Sequence, residues 1–227
     1  MTKLVWDATG ERFYETGTKN GVIYVQNDSG GYDAGVAWNG LTAVTETPGG
    51  AEPTDLYADD IKYASLRSAE TFNATIEAYT YPAEFEQCDG SYKLADGVNI
   101  GQQPRKAFGF SYRTTIGNDT GKEDYKLHLI YGLTASPSEK GYSTINDSPD
   151  AITFSWEVES TPVNVTNFKP TSIITIDSRT ADKDKLAELE KVLYGDDSGE
   201  PTLLLPDDVK KVFEGTYSRM STMEPLG

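Results

Sequence analysis

The segments AFGFSYRTTI, residues 107–116, and YKLHLIYGL, residues 125–133, decide the fold of this chain. In both segments, large apolar side chains occupy every second position, and smaller or polar residues fill the positions between them. The one apolar side chain on the more polar face of the second segment is Ile130. A period of two is typical of a strand that buries one face. We therefore predict two long, half-buried strands.

The segment between these strands, GNDTGKED at residues 117–124, is rich in residues that favour chain reversal. Glycine and asparagine tolerate positive φ, and short polar side chains accept hydrogen bonds from their own backbone. The two strands are therefore predicted to form an antiparallel hairpin, which the rest of the chain covers or extends.

Further segments with strand-like spacing lie on both sides of the hairpin. They are residues 12–16, 22–26, 41–45, 71–79, 152–158 and 172–176. Asn20-Gly21 indicates a tight turn between the first two of them. Residues 46–55 combine polar residues with Pro and Gly, so we expect a long exposed loop there. Residues 82–106 have a weaker pattern and are expected to be loop, with a helical turn near its start.

The pattern changes to a helical one after Asp177. Leu186, Leu189 and Leu193 follow the i, i+3, i+7 spacing of an amphipathic helix, and Gly195 marks its end. A second, short helix is expected at residues 206–214, because a proline at its first position is preorganised for a helical turn.

These elements predict a mainly β protein, an antiparallel β-sandwich or open barrel with one flanking α-helix. A length of 227 residues is compatible with one such domain. We expect this domain to span residues 1–195. Residues 196–227 are expected to form a C-terminal extension or arm that contains the short helix.

Charge and composition exclude several classes of function. The net charge of −16 is unsuited to gripping DNA or an anionic membrane through a basic surface. The single cysteine, Cys88, cannot form an internal disulfide, and the first residues do not resemble a signal peptide. No segment approaches the ~20 apolar residues of a membrane-spanning helix. We expect a protein that is made in a cytosol.

Catalytic motifs are sparse. The only histidine, His128, lies in a strand register opposite the more apolar face, and we expect it to be exposed or half-exposed. Zinc sites need several Cys or His ligands, and Cys88 is expected to be a packing residue. Residues 117–123 differ from a phosphate-binding loop in spacing, and Glu123 stands where Ser or Thr would hold magnesium. We therefore predict neither an enzyme nor a bound cofactor or metal.

Several blocks of the sequence, in their order along the chain, resemble the major tail (tail tube) proteins of long-tailed, non-contractile bacteriophages of Gram-positive hosts. The blocks are residues 35–44, 57–63, 74–82, 88–90, 100–103, 108–113, 186–195 and 205–209. The resemblance covers most of the chain, although no single block carries its own chemistry, and the chain departs from the family pattern after Gly215.

This resemblance implies a tail-tube-like fold and a structural virion protein without catalytic residues. It implies assembly in the host cytoplasm into hexameric rings, which stack into the phage tail tube. Its implied partners are other copies of itself, the tape-measure protein, and the tail-terminator and distal-tail proteins. DNA passes through such a tube during ejection without specific binding.

Two sets of residues are candidates for roles in this assembly. The expected loop suits a segment that orders against a neighbouring ring, and its candidate contact residues are Thr47, Pro48, Gly49, Gly50, Glu52 and Asp55. Glu77 lies on the polar face of a predicted strand, and we expect it to be among the carboxylates that line an acidic lumen.

Alternative functions remain open from the sequence. One is another phage-derived structural protein, such as a capsid decoration protein or the tube of a bacteriocin or secretion machine. A second, less favoured alternative is a carbohydrate-active β-sandwich protein, because 36 acidic residues could place two carboxylates at the separation that glycoside hydrolysis needs.

Overall fold

A computed structural model describes residues 3–50, 52–145, 150–197 and 199–218. The strands are β1 (Phe13–Val25), β2 (Val36–Ala37), β3 (Leu41–Gly50), β4 (Pro53–Ala58), β5 (Ile61–Arg67), β6 (Glu70–Ala78), β7 (Tyr92–Ala95), β8 (Val98–Ile100), β9 (Phe108–Asn118), β10 (Glu123–Ala135), β11 (Phe154–Ser160) and β12 (Ile173–Asp177). The helices are α1 (Lys183–Tyr194) and α2 (Pro206–Glu214), with a short 3-10 helix at Ala83–Phe85.

The main sheet is antiparallel and has the strand order β2-β1-β9-β10-β11-β6-β3, with β12 paired to β10. Strand β10 joins its two halves. It pairs with β9 along one edge as far as Leu133, and on its other edge residues up to Ile130 pair with β12, whereas Leu133 to Ala135 pair with β11. The change of partner occurs at Gly132, whose φ of 58° lies in the left-handed region. The mainly β fold with a large antiparallel sheet and a covering helix is confirmed.

The hairpin of β9 and β10 is buried on both faces, not on one. On one face, Phe108, Phe110 and Ile130 join a core cluster with residues of β6 and β11. On the other face, Leu127 and Leu129 pack with residues of both helices. The strand pairing explains the burial of both faces. Ile130 lies opposite Phe110 and therefore shares its face. The more apolar face of β10 is then on the other side of the sheet from the more apolar face of β9.

The N-terminal hairpin predicted at Asn20-Gly21 is wrong. Both flanking segments belong to the single strand β1, which pairs with β9 along its length and has a bulge at this point. Asn20 has a φ of 58°, and a Cβ on Gly21 would lie 3.0 Å from Leu41 and 3.3 Å from Phe110. The two residues thus permit a kink and a close packing contact instead of a chain reversal.

The predicted exposed loop at residues 46–55 is also replaced by strands. Thr47 to Gly50 continue β3 and pair with Asn73 to Glu70 of β6, and Asp55 lies within β4. Pro48 is compatible with this arrangement because β3 is the last strand of the sheet, and an edge strand tolerates a missing N–H. The expected exposure is largely confirmed, since only Gly49 among the six candidate residues is half-buried.

Both predicted helices are present, and the second belongs to the core. Asp182 caps α1 by accepting hydrogen bonds from the backbone N–H groups of Asp184 and Lys185. Val209 and Val212 of α2 are buried in the cluster that holds α1 against the sheet. Up to residue 218, the expected arm is therefore a packed part of the same unit, and the rest of that segment lies outside the described residues.

Residues 82–106 contain the expected helical turn and a small hairpin, β7–β8, that the loop prediction missed. Cys88 is fully buried in the core between the two halves of the sheet, as its packing role requires. No helix among the described residues is both long and apolar enough to cross a membrane.

Candidate assembly surfaces

Three neighbouring strands, β3, β6 and β11, form a polar sheet face that we call the acidic sheet face. Directly paired residues of an antiparallel sheet lie on the same face, so the register defines its members. They are Ala43, Thr45, Thr47, Asn73, Thr75, Glu77, Ser155, Glu157 and Glu159. The alternate residues of β6, from Phe72 to Ala78, point into the core.

The acidic sheet face carries three carboxylates and, among its nine members, no lysine or arginine. Glu77 is half-buried and lies between Ala43 and Ser155, whereas Glu157 and Glu159 are exposed. A shallow depression of about 370 Å³ lies on this face between Thr47 and the two exposed carboxylates. A face of this kind repels polyanions and offers hydroxyl and amide groups to water.

The structure thus places Glu77 on a solvent-facing sheet surface and adds two carboxylates that sequence reasoning did not select. A signal for them was present, because Glu157 and Glu159 alternate with the apolar Trp156 and Val158 of the same strand. The candidate Thr47 belongs to this face as well, next to Asn73.

The second surface is a two-stranded ribbon formed by β4 and β5. Leu66, Leu56 and Ile61 lie on one of its faces, opposite Thr54, Ala64 and Ala58 respectively. These three large side chains are 58%, 42% and 64% exposed. A two-stranded ribbon is at best marginally stable in water by itself, so its exposed apolar face is a candidate contact surface.

The other face of the ribbon carries an ion pair beside the exposed Tyr57, and the tip of the ribbon is acidic. Asp55 forms an ion pair with Lys62, with 2.7 Å between the carboxylate oxygen and Nζ, and the contact lowers the pKa of Asp55. Asp59 and Asp60 make the turn, with φ values of 50° and 62°. Of the candidate contact residues, Asp55 therefore lies on the ribbon, and Glu52 is exposed at its base.

His128 lies in a polar cluster at one end of the sandwich, contrary to the expected exposure. The His128 cluster consists of Glu15 on β1, Glu46 on β3, Tyr112 and Thr114 on β9, and Lys126 and His128 on β10. Only 8% of His128 is exposed, and its ring stacks on Tyr112 with 4.6 Å between the centroids. Sequence spacing could not reveal this contact, because it depends on which residues of the two strands lie opposite each other.

Hydrogen bonds in the cluster connect four strands. The Tyr112 hydroxyl donates to Glu46 Oε1 at 2.5 Å, and the Thr114 hydroxyl donates to Glu15 Oε1 at 2.5 Å. His128 Nε2 is 3.1 Å from Thr114 Oγ1, and its Nδ1 is 3.4 Å from Glu46 Oε1 without the alignment of a hydrogen bond. The hydroxyl hydrogen of Thr114 is donated to Glu15 and not to His128. His128 therefore does not activate Thr114 as a nucleophile, and these contacts join strands.

The cluster shifts the acidity of its members. The contact with His128 lowers the pKa of Glu46, against an opposing effect of burial, and the Tyr112 hydroxyl lowers it further. Burial also opposes ionisation of Glu15, but hydrogen bonds from Lys126 and Thr114 bring its pKa below the ordinary value. Burial, followed by the hydrogen bond to Glu46, raises the pKa of Tyr112. The ionised carboxylate of Glu46 therefore attaches the edge strand β3 to β9 and β10, and that of Glu15 attaches β1 to the same two strands.

No protein-family model matches the chain, and no curated protein is detectably similar to it in sequence.

Proposed function

We propose that this chain is the tube subunit of a phage tail, a virion protein that forms stacked hexameric rings and conducts DNA during ejection. The observation that carries the proposal is the four-stranded part of the sheet, from the end of β10 through β11 and β6 to β3. It has an acidic, solvent-facing surface on one side, and in the described residues it ends at the edge strand β3.

An edge strand presents unpaired N–H and C=O groups that can pair with another chain. Strand β3 has ten residues and pairs with β6 along one edge. Among the described residues, no strand pairs with its other edge. Pairing of this edge with the sheet of a second copy would continue the sheet from subunit to subunit and bury backbone groups that are otherwise left to water.

The size of such a sheet is compatible with a DNA conduit. With four strands from each of six subunits, a strand spacing of ~4.8 Å and a tilt of ~40° give a backbone diameter of roughly 48 Å. Side chains of ~5 Å on each wall leave a bore of roughly 38 Å, which admits a hydrated duplex.

The charge of the sheet favours a conduit over a DNA-binding surface. Basic walls would hold phosphates by counterion release and slow a sliding duplex. The acidic sheet face, with Glu77, Glu157 and Glu159, would repel the duplex from the wall instead. This feature also supports a DNA tube over a capsid decoration protein, which has no duplex to conduct. In the proposed tail, the tape-measure protein sets the length, and the terminator and distal-tail proteins close the two ends.

Electron microscopy of the purified protein over a range of concentrations, with and without a crowding agent, tests the proposal. We expect rings or tubes with a uniform bore of roughly 38 Å. A variant with Glu46 replaced by proline removes an N–H donor from the free edge of strand β3, since residue 46 has the same backbone orientation as Pro48 in this regular ladder, and we expect it to fold but to form no rings. The proposal fails if the wild-type protein remains monomeric under all conditions, or if the particles have no axial channel.

A further inference from the structure

We propose that the ribbon of one copy, β4–β5, docks its apolar face into a groove on a second copy, between the base of that copy's own ribbon and its strand β12 and helix α2. This contact rests on the proposed function, because it requires a neighbouring copy of the chain. It adds the two surfaces through which the subunits would join.

The groove has a volume of about 1310 Å³. Its apolar wall consists of Pro162, Val165, Phe168, Pro170, Ile173, Ile174 and Pro206. Phe168 is 71% exposed, and the two isoleucines are only half-buried. An apolar groove of this size on the surface of a soluble subunit marks a place where another apolar surface binds.

Charge at the groove points to an acidic occupant. Its lining carries three cations, Arg67, Lys169 and Lys210, and one carboxylate, Glu70, and Lys210 also lies 3.7 Å from the carboxylate of Glu214. This excess of positive charge stands out in a chain with a net charge of −16. A partner with an apolar face and an adjoining acidic end would match both the wall and these cations.

The ribbon has these two properties. Leu56, Ile61 and Leu66 form its apolar face, and Asp59 and Asp60 form its tip. The exposed length of β4 is six residues, which corresponds to a reach of roughly 20 Å. The tip aspartates can therefore reach the cations of the groove when the apolar side chains lie against the groove wall.

The occupant must be the ribbon of another copy. Arg67 ends β5 and lines the groove, so the ribbon starts at the groove of its own chain, and its three large apolar side chains remain exposed there. A contact between a ribbon and a different surface on the next copy is heterologous, and such contacts produce closed rings or open stacks. This geometry agrees with a subunit that assembles with many copies of itself.

Cysteine cross-linking between two single variants tests the contact directly. Ile61→Cys and Phe168→Cys are made separately, and the native Cys88 is buried and does not compete. We expect disulfide-linked dimers when the two variants are mixed under mild oxidation, and at least tenfold less when either is oxidised alone. A matched control, Tyr142→Cys, places an equally exposed cysteine outside both surfaces and should give no enrichment.

Charge exchange provides the second test. Asp59→Lys with Asp60→Lys, and separately Lys169→Glu with Lys210→Glu, should each weaken self-association at least tenfold in sedimentation experiments. Mixing the two double variants should restore association between them. Removal of residues 219–227 tests a different occupant, since strongly increased binding of an apolar dye to the shortened chain would show that this segment covers the groove and would overturn the proposal.

The outcomes separate this contact from the proposed function. Rings or tubes without the mixed cross-link would overturn the docking and leave the tube proposal intact. Mixed cross-links and charge rescue in particles without a channel would support the docking and count against the tube. Absence of both cross-link and rescue would overturn the docking in either case.

Discussion

Glu46 is the residue whose protonation should weaken the attachment of the edge strand β3. Its pKa lies below the ordinary value of 4.5 because the folded protein holds the ionised carboxylate beside His128 and the Tyr112 hydroxyl. A lowered pKa in the folded state stabilises the protein above the unfolded-state pKa, and this stabilisation is lost as the pH falls through the folded-state value. We expect Glu46→Gln to lower the free energy of unfolding by about 1 kcal/mol at pH 7.

Chemical denaturation between pH 3 and pH 8 checks this expectation. The difference between the wild type and Glu46→Gln should shrink as the pH falls below about pH 5, where Glu46 becomes protonated. Glu139→Gln changes an exposed carboxylate outside the cluster and serves as the control. A difference that grows as the pH falls would contradict the assigned sign.

At this scale, the sequence predicted the chemical character of a residue better than its surroundings. His128 was placed correctly in a strand and in register with Lys126, but its burial was missed. The missing information was the pairing of β9 with β10, which brings Tyr112 opposite His128, and the position of β3, which brings Glu46 from a distant part of the chain. Neither relation has a local signature.

Among the strands, the path of β10 depends on Gly132. Its φ is 58°, and a Cβ there would lie 2.3 Å from the carbonyl oxygen of Thr161. Gly132→Ala should therefore lower the free energy of unfolding by more than about 3 kcal/mol, since a backbone clash adds to the strain of positive φ. Gly97→Ala is the matched control, with a φ of 74° and open space around the new Cβ, and should cost only about 1–2 kcal/mol. Equal effects in thermal unfolding would contradict the role of the contact.

The ribbon and the end of β3 should respond differently to deletion. Pro53 pairs with Arg67, so the chain ends at these positions are close enough for Asn-Gly to replace residues 53–67. We expect that variant to keep its stability within about 1 kcal/mol, because the ribbon buries little surface, and to lose assembly. Deletion of residues 48–52 removes ladder partners of β6 and should lower the free energy of unfolding by at least about 2 kcal/mol.

Circular dichroism with urea unfolding, and microscopy of the same samples, distinguish the two deletions. A folded, fully stable protein after deletion of residues 48–52 would mean that this segment is a dispensable loop. Normal assembly after removal of the ribbon would mean that the ribbon is no contact surface.

For the helices and strands, the sequence predicted the buried face correctly where a segment showed a single periodic pattern without Pro or Gly inside it. The alternation in β6 and the leucine spacing of α1 both predicted the correct buried face. The prediction failed where Pro and Gly occur inside strands, as at Pro48 on an edge and Gly21 in a bulge, because local composition does not distinguish a turn from an edge or a close packing contact. The ribbon was missed because β4 begins inside the segment expected to be a loop, and because Asp59 and Asp60, rather than glycine, make its turn.

For the whole molecule, the arrangement of charge matters more than its sum. The net charge of −16 indicated a surface unsuited to gripping DNA but not where the charges lie. The structure separates an acidic sheet face, an acidic ribbon tip and a groove with three cations. The first of these surfaces serves the proposed conduit, whereas the other two serve the proposed contact between copies.

The acidic sheet face leads to a prediction about DNA movement. In the proposed tube, Glu77, Glu157 and Glu159 face the duplex, and a Debye length of about 10 Å at 0.1 M salt lets their repulsion span much of the gap. Replacement of all three by lysine should still give tubes of normal length, because these side chains lie away from the core. Each lysine would instead hold a phosphate, so DNA ejection should become slow or incomplete and should recover as the salt concentration rises.

Particles that carry the triple variant, followed by single-particle fluorescence of the released DNA at several salt concentrations, provide the measurement. The control replaces Glu11, Asp28 and Asp96 by lysine, which makes the same change in net charge at exposed positions outside β3, β6 and β11. Slow ejection in both variants would assign the effect to net charge. Normal ejection at low salt in the triple variant, with microscopy placing the lysines in the bore, would show that the carboxylates do not keep the duplex from the wall.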